Sequence, residues 1–149
     1  MRAVLQRVEK ARVTVKGRLI SEIGRGILVF LGIADGDSES DADYLAEKIV
    51  NLRIFEDEKG KMNLSLLDID GEMLVVSQFT LLGDCRNGRR PSYTQAEKPD
   101  RALFLYDYLV SQARKKIRVV AKGEFQAMMT VTLSNDGPVT MLLDSKRLF

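Results

Sequence analysis

Apolar and polar residues alternate almost from the first position of the chain. Residues 3 to 8, Ala3-Val4-Leu5-Gln6-Arg7-Val8, read as a strand; beyond them Ala11, Val13 and Val15 alternate with Arg12, Thr14 and Lys16. A period of two marks a strand with one buried face. Gly17 offers a turn into residues 19 to 23, and Gly24 and Gly26 punctuate before the near-continuous apolar run 27 to 33. Such a run suits a central strand covered on both faces. The pattern changes at Asp35-Gly36-Asp37-Ser38-Glu39-Ser40, a loop rich in helix N-cap residues. After it Ala42, Leu45, Ala46, Ile49 and Leu52 recur on one helical face. Residues 56 to 61 read as a turn, 62 to 67 as a short irregular segment, and Asp70-Gly71 as a turn into the apolar strand Met73-Leu74-Val75-Val76, which ends at Ser77.

Residues 82 to 99 lack periodicity, and a loop of that length in a compact domain is usually functional or mobile. Pro99-Asp100 opens a second helix with Ala102, Tyr106, Leu109 and Ala113 on one face and Leu103 and Val110 beside it. Lys115, Lys116 and Arg118 follow near its C-terminus, where positive charge is favoured. Strands over 117 to 121, 128 to 133 and 139 to 143 close the chain. Six or seven strands in groups, with two helices, predict an α+β fold: one domain over residues 1–149, with a curved, mainly antiparallel, barrel-like sheet as its core.

Composition narrows the chemistry. The 149 residues are 45% hydrophobic and 30% charged, with a net charge of +2. That is ordinary for a globular domain, and a chain this long buries about 68–70% of its unfolded surface. No uncharged run approaches membrane-spanning length, and strand-like sequence from the start leaves no room for a signal peptide. The single cysteine, Cys85, cannot pair internally, which fits the reducing cytoplasm. Histidine is absent. A Ser-His-Asp triad, a Cys-His pair and a His-based zinc site are therefore excluded. A hydrolase built from these residues must use a Lys-activated or terminal-amine nucleophile, or work by positioning and backbone dipoles. Acidic residues show no ligand-like clustering, so neither a metal nor another cofactor is expected.

Four segments carry candidate chemistry. Ser77-Gln78-Phe79-Thr80 sets two hydroxyls, an amide and an aromatic where an apolar strand stops. Continued alternation would send Ser77 and Phe79 to one face and Gln78 and Thr80 to the other, and backbone N–H groups leaving the ladder there are free to meet a ligand oxygen. Arg86, Arg89 and Arg90, with Gly88 and Pro91, form a basic loop suited to phosphate contacts. Phe125 and Met129 offer polarisable apolar surface on which a nucleobase could stack. Asn135-Asp136-Gly137-Pro138 reads locally as a hairpin turn, with Pro138 removing a backbone donor.

Taken together, Gln6-Arg7-Val8, Ser77 to Leu81 and Asn135 to Thr140 resemble the D-aminoacyl-tRNA deacylase family. The resemblance extends through Arg53-Ile54-Phe55, Gly60-Lys61-Met62-Asn63, Arg90-Pro91-Ser92 and Pro99-Asp100-Arg101, and so covers nearly the whole chain. Gln126 and Met128 depart from it, standing where a small residue and often an acid are expected. The resemblance implies a homodimer, with active sites at the subunit interface, that hydrolyses the ester between a D-amino acid and the 3′-terminal adenosine of tRNA. It implies a cis Gly137-Pro138 bond that reaches into the neighbouring subunit's site, with Arg7 holding the pair in orientation across the interface. Phe125 and Met129 would pack the terminal adenine, and Ser77, Gln78, Phe79 and Thr80 would line the reacting centre.

Within that reading, the backbone N–H groups of Phe79 and Thr80 are expected to stabilise the oxyanion, a contribution of about 3–4 kcal/mol per donor in other hydrolases. Thr80 is a possible acyl-enzyme nucleophile, yet no base for it is evident. Attack by water, assisted by the ribose 2′-hydroxyl, is the preferred mechanism, since an activated ester needs mainly orientation. A backbone gate that rejects L side chains by clash leaves glycine unopposed, so glycyl-tRNA is an expected second substrate. A non-catalytic tRNA-end-binding module is the rival from another class.

Overall fold

The chain folds around one long, bent strand. In the computed structural model, which describes residues Met1–Phe149, β1 (Arg2–Val15) pairs along one edge with β2 (Arg18–Ile23) and then β3 (Gly26–Gly32). Along its other edge it pairs with β8 (Thr130–Asp144). β6 (Glu72–Ser77) joins β3, and β7 (Val120–Lys122) joins β6, giving the order β2-β1-β3-β6-β7 with β8 beside β1. The three ladders to β1 are antiparallel, whereas β3–β6 and β6–β7 are parallel. β2 folds back toward β7, where Ser21 Oγ donates to the Lys122 carbonyl at 2.9 Å, so the sheet nearly closes into a barrel. A small hairpin, β4 (Phe55–Glu56) with β5 (Met62–Leu64), orders part of the segment expected to be irregular.

Helices α1 (Glu39–Asn51) and α2 (Pro99–Arg114) cover one face. Their buried stripes, Ala42, Leu45, Ala46 and Ile49 on α1 and Ala102, Leu105, Tyr106 and Leu109 on α2, meet Leu5, Ile27, Val29, Leu31, Met73 and Val75 of the sheet. Leu105 takes the core place expected of Leu103, which is exposed. The opposite face of β3 and β6, Leu28, Leu74 and Val76, packs with Val8, Ala11, Val13 and Ile23 inside the curl. That explains the near-continuous apolar runs of β3 and β6: both faces are covered. β1 changes phase between Val8 and Ala11, where its register with β8 slips, and its buried side passes from one cluster to the other.

Two expectations are corrected. The strand expected over 117 to 121 begins at Val120, because Ile117 donates its N–H to the Ala113 carbonyl (2.9 Å) and finishes the helix end. The segments 128 to 133 and 139 to 143 are not two strands of a hairpin: they belong to the single strand β8, which stays antiparallel to β1 on both sides of Asn135-Asp136-Gly137-Pro138. No helix is long and apolar enough to cross a membrane.

Candidate functional site

β6 carries the first part of the site. Its ladder with β3 runs to the pair Ser77–Leu31, and the last bond goes from the Gln78 N–H to the Leu31 carbonyl at 2.8 Å. The chain then curls into a 3₁₀ turn, Phe79–Leu82, closed by Leu81 N–H on the Gln78 carbonyl and Gly83 N–H on the Thr80 carbonyl. Gly32 admits this curl: a Cβ there would stand 2.5 Å from Leu82 Cδ2 and 3.0 Å from the Gln78 carbonyl oxygen. The curl also ends the alternation expected to continue through Thr80. Phe79 is 57% exposed, and the N–H groups of Phe79 and Thr80 take no backbone acceptor. The Gln78 side-chain amide donates to Thr80 Oγ1.

Beside this strand end, β7 passes into the loop that carries Phe125 and Met129. The Gly123 N–H bonds to the Val75 carbonyl at 2.9 Å, which sets the loop against β6. The Phe125 ring lies 5.9 Å from that of Tyr106, whose buried hydroxyl donates to the same Val75 carbonyl at 2.8 Å. Burial holds that phenol well above its ordinary pKa, so it remains a donor. The Met129 sulfur occupies the space over Gly123, 2.8 Å from where a Cβ would stand. Phe125 and Met129 thus flank the end of β6 within one chain. Of the two departing positions, Gln126 has φ +59°, a backbone region favouring glycine, and Met128 is almost fully exposed.

The second part of the site is a bulge in β8. Gln6 pairs with Thr140 and Val8 with Asn135, so residues 136 to 139 stand opposite Arg7 alone and the surplus loops outward. Gly137 and Pro138 are at its exposed tip, joined by a cis peptide bond. Asn135 staples the base: its side-chain amide donates to the carbonyls of Arg7 (2.8 Å) and Val139 (3.2 Å). Arg7 is buried beneath, donating to the Ile54 carbonyl at 2.7 Å and the Asp136 carbonyl at 3.3 Å, and pairing with the Asp136 carboxylate at 3.0 Å. Within this chain the guanidinium holds the bulge of its own β8. Asn135, Asp136 and the Ile54 carbonyl are the parts of this clamp that reasoning from turn chemistry overlooked; the only sequence signal was an Asn-Asp pair flanked by strand-like residues.

The chain by itself does not bring these two parts together. Ser77 aligns through Leu31 with Ala3 and Leu143, whereas Gly137 lies opposite Arg7. β3 and β1 intervene, a span of about 14 Å across the sheet, with an offset of about 13 Å along it. The basic loop forms a third region. Arg86 is committed to Asp84, at 2.9 and 2.7 Å, and this pairing holds the Asp84 carboxyl well below its usual range. Arg89 and Arg90 are exposed at the tip. Lys116 and Arg118, beyond α2, pair with Glu47 and Asp70. A cavity of about 580 Å³ opens between Arg2, Cys85 and Arg86, and none of residues 77 to 80 lines it.

Residues 4–144 match the family model described as D-Tyr-tRNA(Tyr) deacylase. The chain is 68% identical to the D-aminoacyl-tRNA deacylase of Syntrophus aciditrophicus (strain SB), over 100% of both chains. It is 60% identical to the D-aminoacyl-tRNA deacylase of Thermosipho melanesiensis (strain DSM 12029 / CIP 104789 / BI429), again over 100% of both. Among solved structures it superposes on the c-Myc DNA Unwinding Element Binding Protein with a TM-score of 0.92 at 44% identity, covering 97% of this chain and 98% of that one. It shares its fold with a probable eukaryotic D-amino acid tRNA deacylase, at a TM-score of 0.81 and 20% identity over 95% and 97% of the two chains.

Proposed function

The chain belongs to the D-Tyr-tRNA(Tyr) deacylase family and is a D-aminoacyl-tRNA deacylase, a carboxylic ester hydrolase; we propose that it works as a homodimer in which Gly137–Pro138 of each protomer completes its partner's active site. The observation that carries this reading is the separation just described. The bulge at Gly137–Pro138 projects from β8 with its base clamped by Arg7, yet on its own chain two strands, β1 and β3, lie between it and Ser77–Thr80. A rigid, outward-pointing backbone segment with no target on its own chain fits a neighbouring copy.

In that arrangement the Gly137 and Pro138 backbone accepts hydrogen bonds from the substrate's ammonium group, while the turn at Phe79–Thr80 receives the ester. Fixing those two substituents of the α-carbon leaves two positions, which exchange between D and L. The L side chain then runs into the Gly-Pro backbone and the D side chain points to open space. Glycine has no side chain to reject, so glycyl-tRNA is a second substrate. The terminal adenine packs between Phe125 and Met129, and Arg89 and Arg90 meet RNA phosphates. A tRNA substrate and a lone reduced thiol, Cys85, fit action in the cytoplasm.

The Gln78–Thr80 contact supports water as the nucleophile. An amide cannot take a proton from the Thr80 hydroxyl in either orientation, and its donated hydrogen bond withdraws electron density from Oγ1. The free N–H groups of Phe79 and Thr80 supply the polarising dipoles, and the 2′-hydroxyl of the terminal ribose assists the attacking water. The decisive experiment measures release of amino acid from matched D-, L- and glycyl-tRNA, with the oligomeric state followed by sedimentation. Turnover of D and glycyl substrates by a dimer, with L spared, is expected. Equal turnover of D and L, or activity retained in a dilute monomer, overturns the gate acting in trans.

A further inference from the structure

The segment between the 3₁₀ turn and α2 lacks regular structure, yet it is fastened twice. Asp84 and Ser92 exchange backbone hydrogen bonds of 2.7 and 3.0 Å, closing residues 85 to 91 into a loop that carries the arginines. Further on, Asp35 donates its N–H to the Gln95 carbonyl and Glu97 to the Ile33 carbonyl, each at 2.9 Å, tying the returning limb to the end of β3. Tyr93 stands between the two fastenings and leans back onto the 3₁₀ turn. Its ring meets that of Phe79 edge to face, with centroids 5.1 Å apart and planes at 70°. Gly83 is the seat for this contact: a Cβ there would lie 3.0 Å from Tyr93 Cε1 and 3.0 Å from the Thr80 carbonyl oxygen.

From this geometry we infer that Tyr93 is a positioning residue for the reacting centre, holding Phe79, and through it the N–H groups of Phe79 and Thr80, in the direction the ester oxygen requires. The inference rests on the deacylase reading and adds to it a residue outside the Ser77–Thr80 segment. A turn this short is held by few hydrogen bonds of its own, and the half-exposed Phe79 ring finds its aromatic neighbour in Tyr93. The contact is made between the two rings, so the phenol oxygen is dispensable. The same limb continues from the loop bearing Arg89 and Arg90, so RNA phosphates held there steady the segment that supports the turn.

The test compares Tyr93→Ala and Tyr93→Phe in steady-state deacylation of D-tyrosyl-tRNA, with thermal unfolding measured alongside. Tyr93→Ala is expected to lower kcat roughly tenfold with KM nearly unchanged, and Tyr93→Phe to keep wild-type kcat. An unchanged kcat in Tyr93→Ala, a change confined to KM, or an equal fall in Tyr93→Phe overturns the inference. Should Tyr93→Ala fail to fold, Tyr93→Leu, which fills the space without an aromatic ring, is read by the same criteria. A wild-type protein that releases no D-tyrosine would sink the deacylase reading instead, whatever the variants do.

Discussion

Arg7 and Asp136 face one another across the β1–β8 ladder at 3.0 Å, the guanidinium 5% exposed and the carboxylate 38%. Because the same guanidinium also reaches the Ile54 carbonyl at 2.7 Å, it ties the bulge to the segment leading into β4 as well as to its own strand. Lysine keeps the charge and loses the fork that serves both partners. Arg7→Lys is therefore expected to cost about 1–3 kcal/mol of stability, the penalty of leaving a buried acceptor unpaired. It should also narrow the D-over-L ratio of kcat/KM. A variant with unchanged discrimination would remove Arg7 from the orienting role.

Gly137 carries a second constraint. With φ at +114°, it occupies backbone space that side-chain-bearing residues avoid, and a Cβ would stand 2.8 Å from Val139 Cγ2 and 3.0 Å from Arg7 Nη2. Gly137→Ala thus pushes a methyl into the clamp itself, at a cost on the order of 1–3 kcal/mol. D-specific turnover should fall by more than the loss of folded protein accounts for, since the gate is displaced. Turnover per folded molecule equal to wild type would refute the backbone gate.

The sequence disclosed β3 as a central strand because its uninterrupted apolar run matches burial on both faces, β6 as an apolar strand, and the two helices by their spaced apolar residues. The end of β6 at Ser77 was equally plain. The bulge was not. Asn-Asp-Gly-Pro specifies a local departure from extended backbone, but whether the chain reverses there depends on what it pairs with on either side. β1 accepts β8 on both sides of the interruption, a non-local fact that no four-residue window contains. For the same reason the clamp by Arg7 within its own chain was invisible: its partner is Asp136, far along the sequence and opposite only through the register of two long strands. Tyr93 lay in a stretch without period, where pattern carries no information about packing.

Thr80 separates the two mechanisms. If water attacks, with Gln78 and Thr80 positioning it, Thr80→Ala should keep measurable deacylation of D-tyrosyl-tRNA, reduced by about 10–100-fold through lost orientation. If Thr80 forms an acyl-enzyme, the same variant falls to the spontaneous rate, and rapid-quench experiments on the wild type show a burst. A burst would overturn the water mechanism.

The Met1 ammonium and the Asp37 carboxylate form a buried pair at 2.8 Å, with side-chain exposures of 0% and 1%. Asp37 also accepts the Ala34 N–H at 2.7 Å, and Ser145 Oγ accepts from the ammonium at 2.7 Å, so the contact joins β1, the loop before α1 and the end of β8. Breaking such a pair strands a charge away from water and costs about 3–5 kcal/mol. Asp37→Asn should shift the denaturant midpoint accordingly, with activity per folded molecule retained. A shift below about 1 kcal/mol would show the pair to be dispensable.

Acid stability should depend on Asp41. Burial alone would raise its pKa, but hydrogen bonds from Lys146, Ser145 and the Ser38 N–H and hydroxyl outweigh that and hold the carboxyl well below its ordinary range. A carboxylate depressed in the folded state contributes stability that is complete above its unfolded value, about 3.9, and is lost as pH falls through the folded value. The wild type should therefore weaken progressively below about pH 4. Asp41→Asn, unable to pair with Lys146 or to cap Ser38 with a charge, starts lower at neutral pH and declines less steeply in acid. The two stability curves, measured by denaturant unfolding from pH 7 to about pH 2.5, should converge toward the acid end. Parallel curves over that range would mean that Asp41 binds its proton equally well in both states, and the network at the start of α1 would then owe nothing to its charge.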